Sequence, residues 1–311
     1  MQNVPTKHSD QIAHRYLLSQ AINWLLGLFN SLPDATAGQV YTADGNGGAS
    51  FETMTDYALE VSLGNIAGVS SVNKFGHATD CDSGVLTDIW DGADGTTSTD
   101  IWVPPTAARG HQISSTSAND TSAGTGARTI QVYGLTDWDT AETSEVITMA
   151  GLTNVPTVNN YVIIYRVKVL TWGTGGVNAG NITTVADTDL TVTAAILAGE
   201  NQSQMCIFGI PSTQKFRMEH AQVEIVKSAG SATIIEGNIL FMPDPATNAA
   251  NNTAWINKEH FSHTNGSNPW EHDYDVPKKF DGPGIIKFQV TSSNNNQQAT
   301  GGFEGYLVDN V

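Results

Sequence analysis

The 311-residue chain has few charged residues and very few basic ones. Charged residues make up 14% of it, and 31 acidic residues against 14 basic ones leave a formal net charge of −17. No run of basic residues is longer than Lys278-Lys279, so no basic cluster is available to neutralise a phosphate backbone or an anionic bilayer surface. The sequence therefore predicts neither a nucleic acid nor a membrane as a partner.

Long apolar runs and cysteines are also scarce. No window approaches the ~20 apolar residues that span a bilayer. Residues 1–5 do not begin a basic region that is followed by an apolar core, so we expect no signal peptide. Cys81 and Cys206 are the only cysteines, too few for a disulfide framework. Cys206 lies in the apolar run 205–208 and is expected to be buried. We expect a protein that is made in a cytoplasm and stays in aqueous surroundings.

The polar residues that are present are mostly Thr, Ser, Asn and Gly, which suit strands and tight turns. Many short segments alternate apolar and polar residues and are separated by glycine-rich turns. These predicted strands are residues 128–134, 145–149, 161–172, 180–185, 190–197, 205–210, 216–227, 232–242, 284–292 and 302–308. The pattern predicts a mainly β protein, an antiparallel β-sandwich of jelly-roll-like type, over residues 77–311.

One helix is predicted near the start of the chain, from Ser9 to Phe29, where Pro33 follows. Its apolar stripe is broad and recurs at roughly helical spacing. The stripe includes Ile12, Tyr16, Ile22, Leu25, Leu26 and Phe29. It either packs on its own domain or packs against copies of itself or a larger assembly. We assign residues 1–76 to this helix and an attachment or oligomerisation region.

A small hairpin follows within residues 37–51, Ala-Gly-Gln-Val-Tyr-Thr-Ala-Asp-Gly-Asn-Gly-Gly-Ala-Ser-Phe. The pattern predicts a strand over 39–42, a glycine-rich turn, and a second strand from Ala49. Such a hairpin is too small to be stable alone, so Val40, Tyr41 and Phe51 are candidate oligomerisation or attachment residues.

This hairpin resembles a segment that recurs in tail-fibre and head-fibre proteins of tailed bacteriophages. There, short Gly-Gln-Val-Leu-Thr-like strands, an Asp-Gly turn and an aromatic residue support trimer formation; here Tyr41 replaces the usual Leu and Phe51 the usual Trp. Residues 72–77, 88–91 and 117–128, followed by Gly-Leu-x-x-Trp at 134–138, are similar in order to structural proteins of tailed phages. The resemblance implies a non-enzymatic virion protein of head-fibre, capsid-decoration or tail-fibre type. It implies a homotrimer that is attached to capsid, portal or tail proteins.

No sequence motif for catalysis stands out: there is no Gly-x-Ser-x-Gly elbow, phosphate loop or His-Glu-x-x-His. We therefore predict no enzyme, no cofactor and no catalytic residues. Asp137-Trp138-Asp139, near Glu142 and Glu145, offers a carboxylate beside a sugar-stacking ring, but an acidic loop is the favoured interpretation.

Two clusters of side chains offer possible metal ligands, but solvated side chains are the favoured interpretation of both, so no metal is predicted. The first, in a long segment without strand periodicity (243–280), comprises Glu259, His260, His263, His272 and Asp273. The second, with oxygen ligands suited to Ca²⁺, comprises Asp80, Asp82, Asp88, Asp91 and Asp94.

Trp255 and Trp270 lie in the segment 243–280, whose length and composition indicate either a functional loop or an element that its pattern does not reveal. We expect these two rings to contact a partner. An alternative function keeps the fold but makes the chain a receptor- or carbohydrate-binding module of a phage appendage. It would bind a host-surface glycan through loops around 137–142 or 248–270.

Overall fold

The structure is a computed structural model that describes residues 39–43, 49–53, 57–96, 99–227, 233–249, 254–264 and 268–310. The chain divides into two compact units, residues 1–63 and 64–311. The predicted helix, with Ile12, Tyr16, Ile22, Leu25, Leu26 and Phe29, lies outside the described residues. The predicted domain boundary at residue 76 falls inside a strand of the second unit.

The described chain is mainly β, with 57% strand and 5% helix. Its strands, in chain order, are β1 (Gln39–Ala43), β2 (Ala49–Thr53), β3 (Val69–Cys81), β4 (Thr87–Asp88), β5 (His111–Ser115), β6 (Ala127–Leu135), β7 (Thr143–Thr148), β8 (Val155–Pro156), β9 (Ile163–Trp172), β10 (Ile182–Ala186), β11 (Val192–Ile196), β12 (Ile207–Ile210), β13 (Gln214–Lys227), β14 (Ile234–Pro243), β15 (Ile256–Thr264), β16 (Trp270–Asp281), β17 (Gly284–Ser292) and β18 (Gln297–Asp309). Two short helices are described, α1 (Tyr57–Ser62) and α2 (Pro245–Asn248). Each of the ten predicted strands contains or overlaps one of these strands.

In the first unit, β1 and β2 pair antiparallel, with Tyr41 opposite Phe51. The predicted strands of the glycine-rich hairpin are therefore confirmed, and the second begins at Ala49 as expected. The involvement of Val40, Tyr41 and Phe51 in oligomerisation stays a prediction.

The second unit contains four antiparallel sheets. Sheet 1 has the order β16-β13-β18-β3, sheet 2 has β12-β17-β14-β15 with β4 beside β17, sheet 3 has β7-β6-β9, and sheet 4 has β11-β10-β5-β8. These small sheets are arranged as a four-blade propeller, so the predicted single jelly-roll-like sandwich is wrong. Strands β5 to β11 pair only among themselves in sheets 3 and 4. Alternation shows that one face of a strand is buried, but it does not say which strands become neighbours.

Sheets 1 and 2 share an aromatic core. The rings of Phe288 and Phe303 stack with centroids 5.3 Å apart, and Phe280 lies between Phe216 and Phe241 at 6.2 and 5.5 Å. Strand β17 is central in sheet 2 and is buried on both faces at its first five residues. Polar groups on this strand must therefore find partners inside the protein.

Strand β13 carries the irregularity that its pattern predicts. The apolar residues alternate with one slip after Met218, which predicts a bulge near Glu219-His220. The register of β13 shifts between Met218 and His220, which confirms this bulge. On the partner strand β16, Lys278 pairs with Met218 and Asp273 pairs with His220, so residues 274–277 lie opposite a single residue. The segment 243–280 is not a long loop but contains elements that its pattern does not reveal, namely α2, β15 and β16. Bulges and half-exposed faces hide the period-two signal there.

Candidate functional site

Both tryptophans predicted to contact a partner pack partly against the core. The ring of Trp270, at the start of β16, lies 4.8 Å from that of Phe261. The ring centroid of Trp255, just before β15, lies 4.4 Å from the Nζ of Lys287. Their described contacts are thus with their own chain, and a partner contact at these rings stays a prediction.

Beside the Trp255 ring, Lys287 forms a buried ion pair with Asp88. The Nζ of Lys287 donates to Asp88 Oδ2 at 2.7 Å, and both side chains are almost fully buried. Asp88 also accepts hydrogen bonds from the backbone N–H of Trp102 at 2.8 Å and from Nε2 of Gln289 at 2.9 Å. Burial raises the pKa of Asp88 above its ordinary value, although Lys287 and the other donors oppose the rise. This group holds β4, β17 and the segment at Trp102 together.

The acidic stretch around Asp88 was predicted to be solvated, and for Asp88 and Asp91 this is wrong. Asp91 is 3% exposed; its Oδ2 accepts from the backbone N–H of Gln204 at 2.8 Å, and burial raises its pKa to about 8. Asp94 is more exposed and accepts hydrogen bonds from the hydroxyls of Thr96 and Thr99 at 2.7 Å each. In the described part of the chain, no three His, Cys, Asp or Glu side chains are grouped to hold a metal ion.

The residues of the other group considered as possible metal ligands lie on β15 and β16 and bind different partners. His272 Nδ1 lies 2.8 Å from Glu259 Oε1, and Glu259 Oε2 accepts hydrogen bonds from Tyr274 at 2.9 Å and from Lys278. Burial opposes ionisation of Glu259, but these hydrogen bonds hold its pKa below the usual value. His260 and Asp273 face other neighbours, Asn238 and His220. The side chains of this group therefore bind separate neighbours on adjacent strands and do not converge on one point.

The loop at residues 137–142 does not present a sugar platform. Trp138 is only 9% exposed, and its carbonyl accepts from the N–H of Ser212 at 2.6 Å. Asp139 accepts from the Ser212 hydroxyl at 2.7 Å, and Glu142 accepts from Tyr165 at 2.7 Å. The Trp138 ring belongs to the core, so it is not available to stack on a sugar, as carbohydrate binding at this loop would require.

Sequence reasoning missed the outer face of sheet 3, which we call the basic face. One side of the sheet buries Ile130, Val132 and Val167. On the opposite side, Tyr133 pairs across the strands with Ser144 and Arg166. One sequence feature could have indicated this face: the polar residues that alternate with apolar ones in β6 and β9 include no Asp or Glu.

The basic face places two cations at one aromatic ring. The Arg166 guanidinium carbon lies 5.5 Å and the Lys168 Nζ 5.2 Å from the ring centroid of Tyr133. The Tyr133 hydroxyl donates to Gln131 Oε1 at 2.7 Å, and Gln131 Nε2 donates to the Ser144 hydroxyl at 3.1 Å. This arrangement can bind an anion and can hydrogen-bond to hydroxyl groups.

No family model, no curated protein and no solved structure matches the chain. None of the described helices is both long and apolar enough to cross a bilayer.

Proposed function

We propose that the protein is a non-enzymatic structural component of a tailed-bacteriophage particle: a head fibre, capsid decoration or tail appendage. It acts as a homo-oligomer, a trimer, made in the host cytoplasm and attached to other virion proteins. The resemblance of residues 37–51 to phage fibre segments supports this proposal, and the hairpin formed by β1 and β2 is the observation that carries it.

Strands β1 and β2 have five residues each and, among the described strands, pair only with each other. A lone two-stranded hairpin is marginally stable in water and gains stability from a third strand or a packed face. The outer edge of each strand also presents backbone N–H and C=O groups that another chain can pair with. Copies of the same hairpin around a symmetry axis would satisfy both needs.

The second unit supports a structural role because its polar side chains brace long loops. Asp120 is fully buried and accepts four hydrogen bonds, three from the backbone N–H groups of Ala127, Ala179 and Gly180 and one from the Ser115 hydroxyl, at 2.6–2.9 Å. One carboxylate thus joins loops that lie about 60 residues apart in the chain. Such bracing suits a protein whose task is to keep its shape on a particle surface.

The proposal is tested by the mass of the full chain in solution, measured by sedimentation or light scattering. We expect a mass of about three times the 33.1 kDa protomer. Tyr41→Pro removes a backbone donor from the middle of β1 and is expected to yield monomers, whereas the control Tyr41→Phe keeps the trimer. A monomeric wild-type protein, or an oligomer that tolerates Tyr41→Pro, contradicts the proposed assembly.

The location is tested separately by gold labelling. An antibody raised against the protein should decorate purified phage particles that carry its gene, in negative-stain images. Particles that contain the gene but bind no antibody and yield no peptide of this protein by mass spectrometry contradict the virion role, whatever the oligomeric state.

A further inference from the structure

We propose that the basic face of sheet 3 binds an acidic polysaccharide, with Arg166 and Lys168 contacting its carboxylates. This inference stands on the described residues of sheet 3 and does not depend on the proposed role in a phage particle. It places a ligand site on a sheet face, away from the loops at 137–142 and 248–270.

The first argument is the sign of the charge on this face. Cross-strand pairing assigns nine residues to it: Tyr133, Gln131, Ser144, Val146, the two cations and three threonines. None of the nine is acidic, although the chain carries 31 acidic residues and 14 basic ones. In a chain of net charge −17, an acid-free face with two cations is the part of sheet 3 that complements an anion.

The second argument is that the two cations are held in place but are not neutralised. Tyr133 supports both from one ring, and Nη2 of Arg166 donates to Gln202 Oε1 at 2.9 Å. Neither cation is within 4.0 Å of a described carboxylate, unlike Arg109, Arg217 or Lys287. Cations ordered by an aromatic ring lose less side-chain entropy when an anion binds.

The third argument is the polar but uncharged surface around the cations. Gln131 and Ser144 are linked by hydrogen bonds, and the hydroxyls of Thr129 and Thr171 lie 2.6 Å apart on the same face. Hydroxyl and amide groups can exchange these bonds for bonds to sugar hydroxyls. Arg166 and Lys168 lie two residues apart on β9, which separates their Cα atoms by roughly 7 Å. A polymer that carries one carboxylate on each of several sugar rings fits this sparse spacing.

Nucleic acid fits the face less well. Duplex DNA carries one charge about every 1.7 Å, and its binding gains free energy from neutralising many phosphates. Two cations neutralise few of them, and the net charge of −17 repels the rest. A sparsely charged polysaccharide meets less of this repulsion.

The test uses the full chain and polygalacturonate as the probe, with dextran as the neutral polymer, in a surface-binding assay at low salt. The variant Arg166→Gln/Lys168→Gln is expected to bind polygalacturonate at least ~10-fold more weakly, because two charge-assisted contacts are lost. The matched control Lys215→Gln/Lys258→Gln also removes two positive charges, one from sheet 1 and one from sheet 2. It should stay within about twofold of wild type. Dextran should not bind.

A charge-preserving variant guards against a folding defect. Arg166→Lys/Lys168→Arg keeps both cations on Tyr133 and should retain binding, and thermal melts should show that all variants are folded. The proposal is overturned if wild type does not bind polygalacturonate or if both glutamine variants lose affinity equally. It is also overturned if the Arg166→Gln/Lys168→Gln variant binds as wild type does, or if duplex DNA binds more tightly than polygalacturonate.

Discussion

Lys287 is a residue whose replacement tests the buried network directly. The substitution Lys287→Met keeps most of the apolar stem and removes the ammonium group. It deletes the 2.7 Å hydrogen bond to Asp88 and the contact with the Trp255 ring at 4.4 Å. The Asp88 carboxylate is left buried with two neutral donors, Trp102 N–H and Gln289 Nε2. Removing one partner of a buried ion pair costs about 3–5 kcal/mol, so the free energy of unfolding should fall by that amount at pH 7.

The effect of pH has a definite sign. Burial already raises the pKa of Asp88, and Lys287 is among the groups that lower it, so Lys287→Met raises it further. A carboxyl whose pKa is higher in the folded than in the unfolded state destabilises the folded state increasingly as pH rises above the unfolded value. The loss in Lys287→Met should therefore shrink as the pH is lowered from 7 toward the ordinary carboxyl pKa, because protonation of Asp88 removes the unpaired buried charge.

Urea denaturation of wild type, Lys287→Met and Asp88→Asn/Lys287→Met at pH 7 and pH 5 measures these effects. The double variant leaves no charge at positions 88 and 287, and Asn can still accept from the Trp102 N–H. It should recover at least ~2 kcal/mol of what the single variant loses. The reasoning is refuted if Lys287→Met costs under ~1 kcal/mol, or if the double variant is as unstable as the single one.

Two further predictions concern buried acids. Asp120→Ala leaves three backbone N–H groups without their acceptor and should lower the free energy of unfolding by about 3 kcal/mol or more; a loss under ~1 kcal/mol in urea denaturation would contradict its bracing role. For Asp91, burial raises the pKa to about 8, above the unfolded value of ~3.9, so ionisation disfavours folding progressively as pH rises toward 8. Asp91→Asn removes this penalty. The free energy of unfolding of the variant minus that of wild type should therefore increase from pH 5 to pH 8, by at most ~1.4 kcal/mol per pH unit. If this difference stays constant over that range, Asp91 does not titrate there.

Much of the strand content could be predicted because a half-buried strand alternates apolar and polar side chains. The strand β17 was predicted with its observed bounds, and the bulge in β13 was visible as a slip in its alternation. Strand β15 was missed because residues 256–260 are half or fully exposed, and β16 was missed because residues 271–276 are as well. Neither stretch carries an apolar period.

The basic face shows the same limit for a candidate site. Arg166 and Lys168 sit at alternate positions of β9, which is visible in the sequence. That Tyr133 lies beside them follows only from the pairing of β6 with β9, about 33 residues apart in the chain. Likewise, no sequence spacing suggests that Asp88 meets Lys287, 199 residues later.

The sequence by itself determined the local choices of this protein: extended segments, the turns between them, the acidic net charge and the strands of the early hairpin. These follow from side-chain shape and from the period of two, which act within a few residues. The tertiary structure alone decided that the strands of the second unit divide among four sheets and that Asp88 and Asp91 are buried. It also decided that two cations share one tyrosine ring. These features depend on which distant strands pair, and pairing is selected by the packing of the whole core.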